Sequence, residues 1–335
     1  MPMGTVVAHD GVMRRTAVAP LGAVLGTLVL AVALAGCGSG GDSGPAAAGP
    51  VTPSRLPVAD TYRQPGNPEW LLAAFDTVWV HKDDGTILGF DPDSGAVVGT
   101  IDTGYHELPA CQGLGRDATG LWSCAGTDAL VRIDPKTGAA TRVPVAKRSD
   151  EGRLAFSGGL LWYLESGTND LVGLDESTHE AARVHLGEVC TDLGYDDKMV
   201  FALCPTTHHV IRVDALQRAV TGSLDVGNPR NAAVGEDLFV GDGDGMLQVD
   251  TDSLEVLHTY DDVGPGLVGN VAATDGEVWV REENGVFLTE VDPATHAVVA
   301  TVDAPDYPSG GDVVVTDHWV WATASDDDAV LRVAR

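Results

Sequence analysis

The chain has 335 residues, with 20 Lys plus Arg against 49 Asp plus Glu and a formal net charge of −29 at pH 7. So acidic a surface is repelled by phosphate backbones and by anionic lipid headgroups, which excludes nucleic acid as a partner and adsorption to membranes through basic patches. The plainest use of the charge is solubility.

Arg14 and Arg15 precede an uncharged apolar run over residues 17–36, long enough on its own to span a bilayer. The end of that run decides against a span. Leu34-Ala35-Gly36-Cys37 resembles the lipobox of bacterial lipoproteins, in which the signal is cut before the cysteine and the thiol carries lipid. Positive n-region, apolar h-region and small-residue cleavage site stand in order. The resemblance implies a signal peptide over residues 1–36, lipidation of Cys37, and a protein held on the extracytoplasmic side of the cell membrane by its N-terminal lipid alone. Met13, just before the arginines, is an alternative start. Without residues 1–36 the chain keeps 18 basic and 48 acidic residues, a net charge of −30. Residues 37–57 are Gly, Ser, Ala and Pro with hardly a charge, a composition that cannot bury enough apolar surface to fold and that serves as a flexible tether. Residues 58–335 remain for one domain.

That domain repeats. An aromatic after an aliphatic occurs at Trp79, Trp122, Trp162, Phe201, Phe239, Trp279 and Trp321, at spacings of 43, 40, 39, 38, 40 and 42. An apolar residue followed by Asp recurs in register with it, at Asp91, Asp134, Asp175, Asp214, Asp250 and Asp292. The clearest unit lies within residues 275–305, where VWVRE, VFLTEVD and AVVATV are separated by Asn284-Gly285 and Asp292-Pro293-Ala294-Thr295, residues that favour tight reversals. A further short run precedes each aromatic, giving four strands per unit. Seven units of about 40 residues predict an all-β, seven-bladed propeller. Blade-on-blade packing covers both faces of each sheet, which explains why the strands do not alternate cleanly between apolar and polar. Each aromatic is then an inter-blade packing residue.

The last unit is short of one strand: runs over 313–316, around Trp321, and over 329–333 reach the C-terminus with no fourth. An open edge there would expose unpaired backbone groups. Residues 56–62, otherwise unassigned, are expected to close the ring as the outer strand of blade 7, and a monomer is expected.

With Cys37 assigned to lipid, Cys111, Cys124, Cys190 and Cys204 remain. Each of the two pairs brackets a hairpin turn, near Asp117 and Asp197, so that its members face each other across adjacent strands. Disulfides Cys111–Cys124 and Cys190–Cys204 are predicted, as suits an exported protein. Neither pair has zinc-ligand spacing.

Loops from the second to the third strand carry Asp83, Asp84, Asp170, Asp242, Asp244, Glu282, Glu283, Asp326, Asp327 and Asp328, which predicts a strongly acidic face. Such a face suits a basic protein or a cationic ligand. Loops leading into the inner strands carry His106, Glu107, Glu188, Arg153, Arg230, Asn231, Asn270 and Asp312, and with His208 from a second-to-third loop they supply the candidates for the channel mouth. A histidine among carboxylates there, with His106, Glu107, Glu188 and His208 as the catalytic candidates, could act as general base or hold a divalent cation, the one cofactor left open. Asp242-Gly243-Asp244-Gly245 places Met246 where a calcium loop needs its next ligand, so it reads as a plain turn. No nucleophile elbow and no phosphate-binding glycine loop occurs.

VWVHKDDGTILGFDPDSGAVVGTI, LWSCAGTDALVRIDPKTGAATRV and VWVREENGVFLTEVDPATHAVVATV resemble the YVTN and NHL class of seven-bladed propellers, including streptogramin-lyase-like and surface-lipoprotein members. The likeness spans residues 70–335, although the tetrad positions read WVHK, WSCA, WYLE, FALC, FVGD, WVRE and WATA. It implies either a binding scaffold or a metal-dependent enzyme of the lyase or lactonase type. Asp134-Pro135-Lys136-Thr137-Gly138 is similar to the turn of quinoprotein dehydrogenase propellers, but AATRV comes next where those repeats place a tryptophan.

Overall fold

Seven large aromatics set the spacing of the sheets. In a computed structural model that describes residues 52–106, 113–148, 152–243, 245–266, 269–283 and 286–335, Trp122, Trp162, Phe201, Phe239, Trp279 and Trp321 are at most 1% exposed and Trp79 is 4% exposed. Each packs against the next sheet: Trp79 on Leu114 and Leu121, Trp162 on Leu193, Phe239 on Val278, and Trp321 back on Val78 and Phe90. The core is therefore not one central mass but seven apolar layers, one per interface between neighbouring sheets. Replacing one such aromatic by alanine would cost about 3–5 kcal/mol. The residue opposite each aromatic on the third strand is fitted to it. A Cβ at Gly89 would lie 2.9 Å from the Trp79 ring, and one at Gly173 would lie 3.1 Å from that of Trp162. Opposite Trp122 and Trp321 stand Arg132 and Arg332, with guanidinium carbons 5.9 and 5.6 Å from the ring centroids.

The recurring aspartates make the turns. Asp91, Asp134, Asp175, Asp214, Asp250 and Asp292 accept, at Oδ1, the backbone N–H of Ser94 (2.7 Å), Lys136 (2.8 Å), Ser177 (2.9 Å), Leu216 (2.9 Å), Asp252 (3.1 Å) and Ala294 (2.8 Å). These bonds form the side-chain-closed turn leading from the third strand to the outer one.

Each sheet is an antiparallel meander running from the channel outward. Blade 1 extends from Pro68–Ala74 to Val97–Asp102, blade 2 from Leu114–Arg116 to Ala140–Pro144, and blade 3 from Ala155–Ser157 to Glu180–His185. Blade 4 extends from Asp192–Tyr195 to Ala219–Asp225, blade 5 from Pro229–Val234 to Val256–Tyr260, and blade 6 from Asn270–Thr274 to Ala297–Val302. Blade 7 has Val313–Val315, Trp319–Ala324 and Ala329–Ala334, and its outer strand is Val58–Arg63 from the other end of the domain. The expected closure is present, with Val58 opposite Val333 and Arg63 opposite Ala329.

The segment read as a tether contains a strand. Ser54–Leu56 lies parallel to blade 6, with Ser54, Arg55 and Leu56 opposite Ala300, Thr301 and Val302. The outer edge of blade 6 offers unpaired N–H and C=O groups, Leu56 packs on the layer between blades 6 and 7, and Arg55 lies 2.8 Å from Asp303. Residues 54–63 thus form one strap across two blades. Among the described residues the only helical segment is the single turn Ser325–Asp327. The disulfide Cys190–Cys204 closes the hairpin of blade 4, as expected from spacing. Cys124 is also disulfide-bonded, while Cys111 and Cys37 lie outside the described residues.

Candidate binding site at the channel mouth

The inner strands begin around the central axis, and the residue at each start is aligned by the repeat. Trp70, Arg153, Asp192, Asn270 and Asp312 stand nine residues before their landmark aromatics, and Asn231 stands eight before its own. One side chain ties these starts together. Arg153 of blade 3 reaches across the axis: Nη1 donates to the Ala232 carbonyl of blade 5 at 3.1 Å, and Nη2 donates to Asp312 Oδ1 of blade 7 at 3.2 Å. Its own backbone N–H donates to Asp192 of blade 4 at 2.9 Å. Asp312 also accepts from Asn270 Nδ2 of blade 6 at 2.6 Å, from the Val313 N–H at 2.9 Å, and from the Leu71 N–H of blade 1 at 2.9 Å. Blade 2 contributes close approach instead of a side chain: at Gly113, with φ 124°, a Cβ would meet the Gly152 carbonyl oxygen at 2.6 Å.

The channel therefore has a polar bolt across it. Burial pushes the Asp312 carboxyl up from its usual range, with Arg153 and two backbone N–H groups opposing. Burial also works against the Arg153 charge, but Asp312 and Asp192 outweigh it and its pKa is raised.

Outside this floor lies a cavity of about 370 Å³ lined by Glu69, Trp70, Arg230, Asn231, Asp312 and Asp326 among others. The volume falls in the range of small-molecule sites. Glu69 is its most perturbed group. Burial, then the charge of Asp83 and a hydrogen bond to it, then Asp312 and Asp326 push the Glu69 carboxyl up to about 8 from 4.5. Carboxyls so crowded cannot all ionise, so Glu69 holds a proton at neutral pH. Across the ring, Arg230 of blade 5 is exposed. No ion pair or hydrogen bond engages its guanidinium among the described residues.

The structure sorts the sequence candidates. Arg153, Arg230, Asn231, Asn270 and Asp312 do gather at the mouth. The histidines do not join them. His106 is exposed, with Nδ1 on the Asp84 carbonyl at 2.7 Å and Nε2 3.3 Å from Asp102; Glu107 lies outside the described residues. Glu188 is taken by His209, whose Nδ1 lies 2.8 Å away and whose Nε2 lies 2.8 Å from Asp225. His208 Nδ1 meets the Gly227 carbonyl. His106 follows blade 1 while Glu188 and His208 both lie in loops of blade 4, and none of the three lines the cavity. Buried His81, in the second strand of blade 1, is held neutral, its pKa driven down to about 4 by burial despite Asp83 and Asp84.

Much of the acidic face proves to be turn chemistry. Asp327 Oδ2 accepts from Ser309 Oγ at 2.8 Å, and Asp328 Oδ1 accepts from the Gly66 N–H at 2.9 Å and the Asn67 N–H at 3.1 Å. Asp242 accepts from the Gly227 N–H at 3.2 Å, and Asp244 lies outside the described residues. Asp84 pairs with Lys82 at 2.9 Å, and Asp170 pairs with Arg183 at 2.7 Å and His185 at 2.8 Å. The Thr289 hydroxyl donates to Glu282, whose pKa burial raises; Glu283 is engaged as well. Asp326 lines the cavity with Glu69, and Asp83, which accepts from Asn67 Nδ2 at 3.3 Å, lies beside Glu69. Glu69 and Trp70 stand in none of the loops expected to build the mouth, although Trp70 is aligned with Asp312 by its distance from the landmark aromatic.

The fold is that of a seven-bladed β-propeller with four-stranded blades. The sequence matches no protein-family profile and no curated protein. Solved structures with the same architecture include virginiamycin B lyase from Staphylococcus aureus. A catalytically inactive histidine-to-alanine variant of it with quinupristin aligns with a TM-score of 0.68 at 12% identity over 82% of this chain and 98% of that one. Its selenomethionine form aligns at 0.64 and 13% over 82% and 98%. A streptogramin B lyase aligns at 0.68 and 13% over 82% and 96%.

Proposed function

We propose that the protein is a lipid-anchored, extracytoplasmic binding protein that takes the cationic group of a ligand or basic partner into the mouth of its channel. The observation that carries this reading is a cavity wall with Glu69, Asp312 and Asp326, crowded together with Asp83, the hydrogen-bonded neighbour of Glu69, enough to hold Glu69 protonated. A cation placed there relieves the repulsion and lets Glu69 ionise, so binding expels a proton. The lipobox at Cys37 supports the location.

The lyases of like fold support a second reading, a metal-dependent lyase or lactonase-type enzyme at the same mouth. Against it, the described residues lining the cavity include no histidine, and Asp312 already accepts four hydrogen bonds. Among the described residues no three His, Cys, Asp or Glu side chains are disposed to hold a metal ion.

Calorimetric titration of the purified protein with n-hexylamine tests the binding reading. Affinity should fall as the Debye length shrinks from about 10 Å at 0.1 M salt to about 3 Å at 1 M. It should rise with pH as Glu69 titrates near 8, and Asp83→Asn with Asp326→Asn should weaken it. An affinity indifferent to salt and to these substitutions refutes the reading. Metal found with the purified protein, together with activity lost on chelation, would favour the enzyme.

A further inference from the structure

The cavity is not uniformly acidic. Apart from Asp192 of blade 4, which is buried and accepts the Arg153 N–H, its carboxylates lie on blades 1 and 7, while Arg230 lies on blade 5, separated from blade 1 by blades 6 and 7 in a ring of seven and therefore on the far side of the mouth from Glu69. Other arginines at this end are consumed. Arg153 is bound to Asp312 and Ala232, and Arg281, 1% exposed, donates to the Thr323 carbonyl at 3.0 Å. Arg230 has no such engagement among the described residues, and a guanidinium offers several donors in a plane matched to a carboxylate. Beside it Asn231, 5% exposed and also on the cavity wall, donates Nδ2 to the Gly269 carbonyl at 3.0 Å but leaves Oδ1 without a hydrogen-bond partner. A buried acceptor left unmatched costs about 1–3 kcal/mol, which a ligand donor would relieve.

We infer that the ligand is a small zwitterion, an amino-acid-like or peptide-terminus-like molecule whose ammonium sits against Glu69, Asp83 and Asp326 and whose carboxylate is held by Arg230. This rests on the cation-binding reading above and adds the second pole. Trp70, which lines the cavity, supplies apolar surface for the stretch between the two charged groups. Opposite charges at the two ends of one cavity fix the orientation of such a ligand, and they disfavour a plain cation or a plain anion of equal size.

The test is a graded series of ω-amino acids, from γ-aminobutyrate through ε-aminocaproate to ω-aminocaprylate. Each is titrated beside the alkylamine and the alkanoate of matching length. At the length that spans the cavity, the amino acid should bind about tenfold more tightly than its matched amine, the order of one charge-assisted hydrogen bond. Arg230→Gln, at an exposed site with no partner to lose, should bring the two within about twofold by weakening the amino acid and not the amine; this size again reflects loss of that one bond. If no amino acid exceeds its amine, or if the advantage survives in Arg230→Gln, the zwitterion inference is overturned while cation binding stands. If neither amines nor amino acids bind, cation binding itself is wrong and the inference falls with it.

Discussion

Truncating Asp312 to alanine would draw the bolt from the channel. The substitution removes the carboxylate that pairs with the Arg153 guanidinium at 3.2 Å and leaves that charge, on a side chain 16% exposed, with only the Ala232 carbonyl. Breaking a buried pair on one side typically costs about 3–5 kcal/mol. The Leu71 N–H and Asn270 Nδ2 lose their acceptor as well, each worth about 1 kcal/mol or more if water does not replace it. Water from the adjoining cavity can replace part, so the expected loss is about 4–6 kcal/mol. For a domain of this size that corresponds to a melting temperature lowered by roughly 10 °C or more. Calorimetric melting at fixed scan rate and neutral pH is the measurement, with Asp326→Ala as the control; on the exposed wall of the same cavity it should change stability by no more than about 0.5 kcal/mol. Adding Arg153→Met to Asp312→Ala should restore about 2 kcal/mol, because it removes the stranded charge. An Asp312→Ala protein melting within about 2 °C of the parent, or a double variant no more stable than the single, would refute the reasoning.

Glu69, raised from 4.5 to about 8, contributes stability that is full below its unfolded value and is lost as pH rises through about 8. The parent should therefore lose stability between pH 6 and pH 9 more steeply than Glu69→Gln, and equal slopes would contradict the burial assigned to this carboxyl. Replacing Cys190 and Cys204 together by serine opens a loop with a sequence separation of 14 and should cost about 3 kcal/mol by urea titration. Removing residues 52–63 takes away the outer strand of blade 7 and the added strand of blade 6, and should raise the tendency to associate, measured by light scattering, as well as lower the melting temperature.

What could be read from the sequence is what every blade needs for itself. The aromatic on the second strand and the aspartate after the third recur because each interface needs a large side chain and each turn needs an acceptor, so seven copies reinforce one another. The missing fourth strand of blade 7 is legible for the same reason. The mouth obeys no such rule. Its seven aligned positions mix Trp, Gly, Arg, Asp and Asn, and the contact that matters, Arg153 to Asp312, joins positions 159 apart in sequence. No local pattern announces it. Acidic residues pass for free charge because an aspartate capping a turn, such as Asp328, and one facing solvent, such as Asp326, look alike in sequence. His209, the first residue of its strand, takes Glu188, while the candidate His208 sits in the turn before it with φ 65°.

The strap over residues 54–63 couples the two ends of the domain in time as well as in space. Val58–Arg63 is made first during synthesis, yet its partner Ala329–Ala334 is made last, after every other blade. Six blades can fold as they emerge, each from local hairpins, while the ring itself cannot close until the third strand of blade 7 has been made. Until then the early strand is an unsatisfied edge, and blade 7 lacks its cover. The last step of folding is therefore a single long-range docking event, the pairing of Val58–Arg63 with Ala329–Ala334.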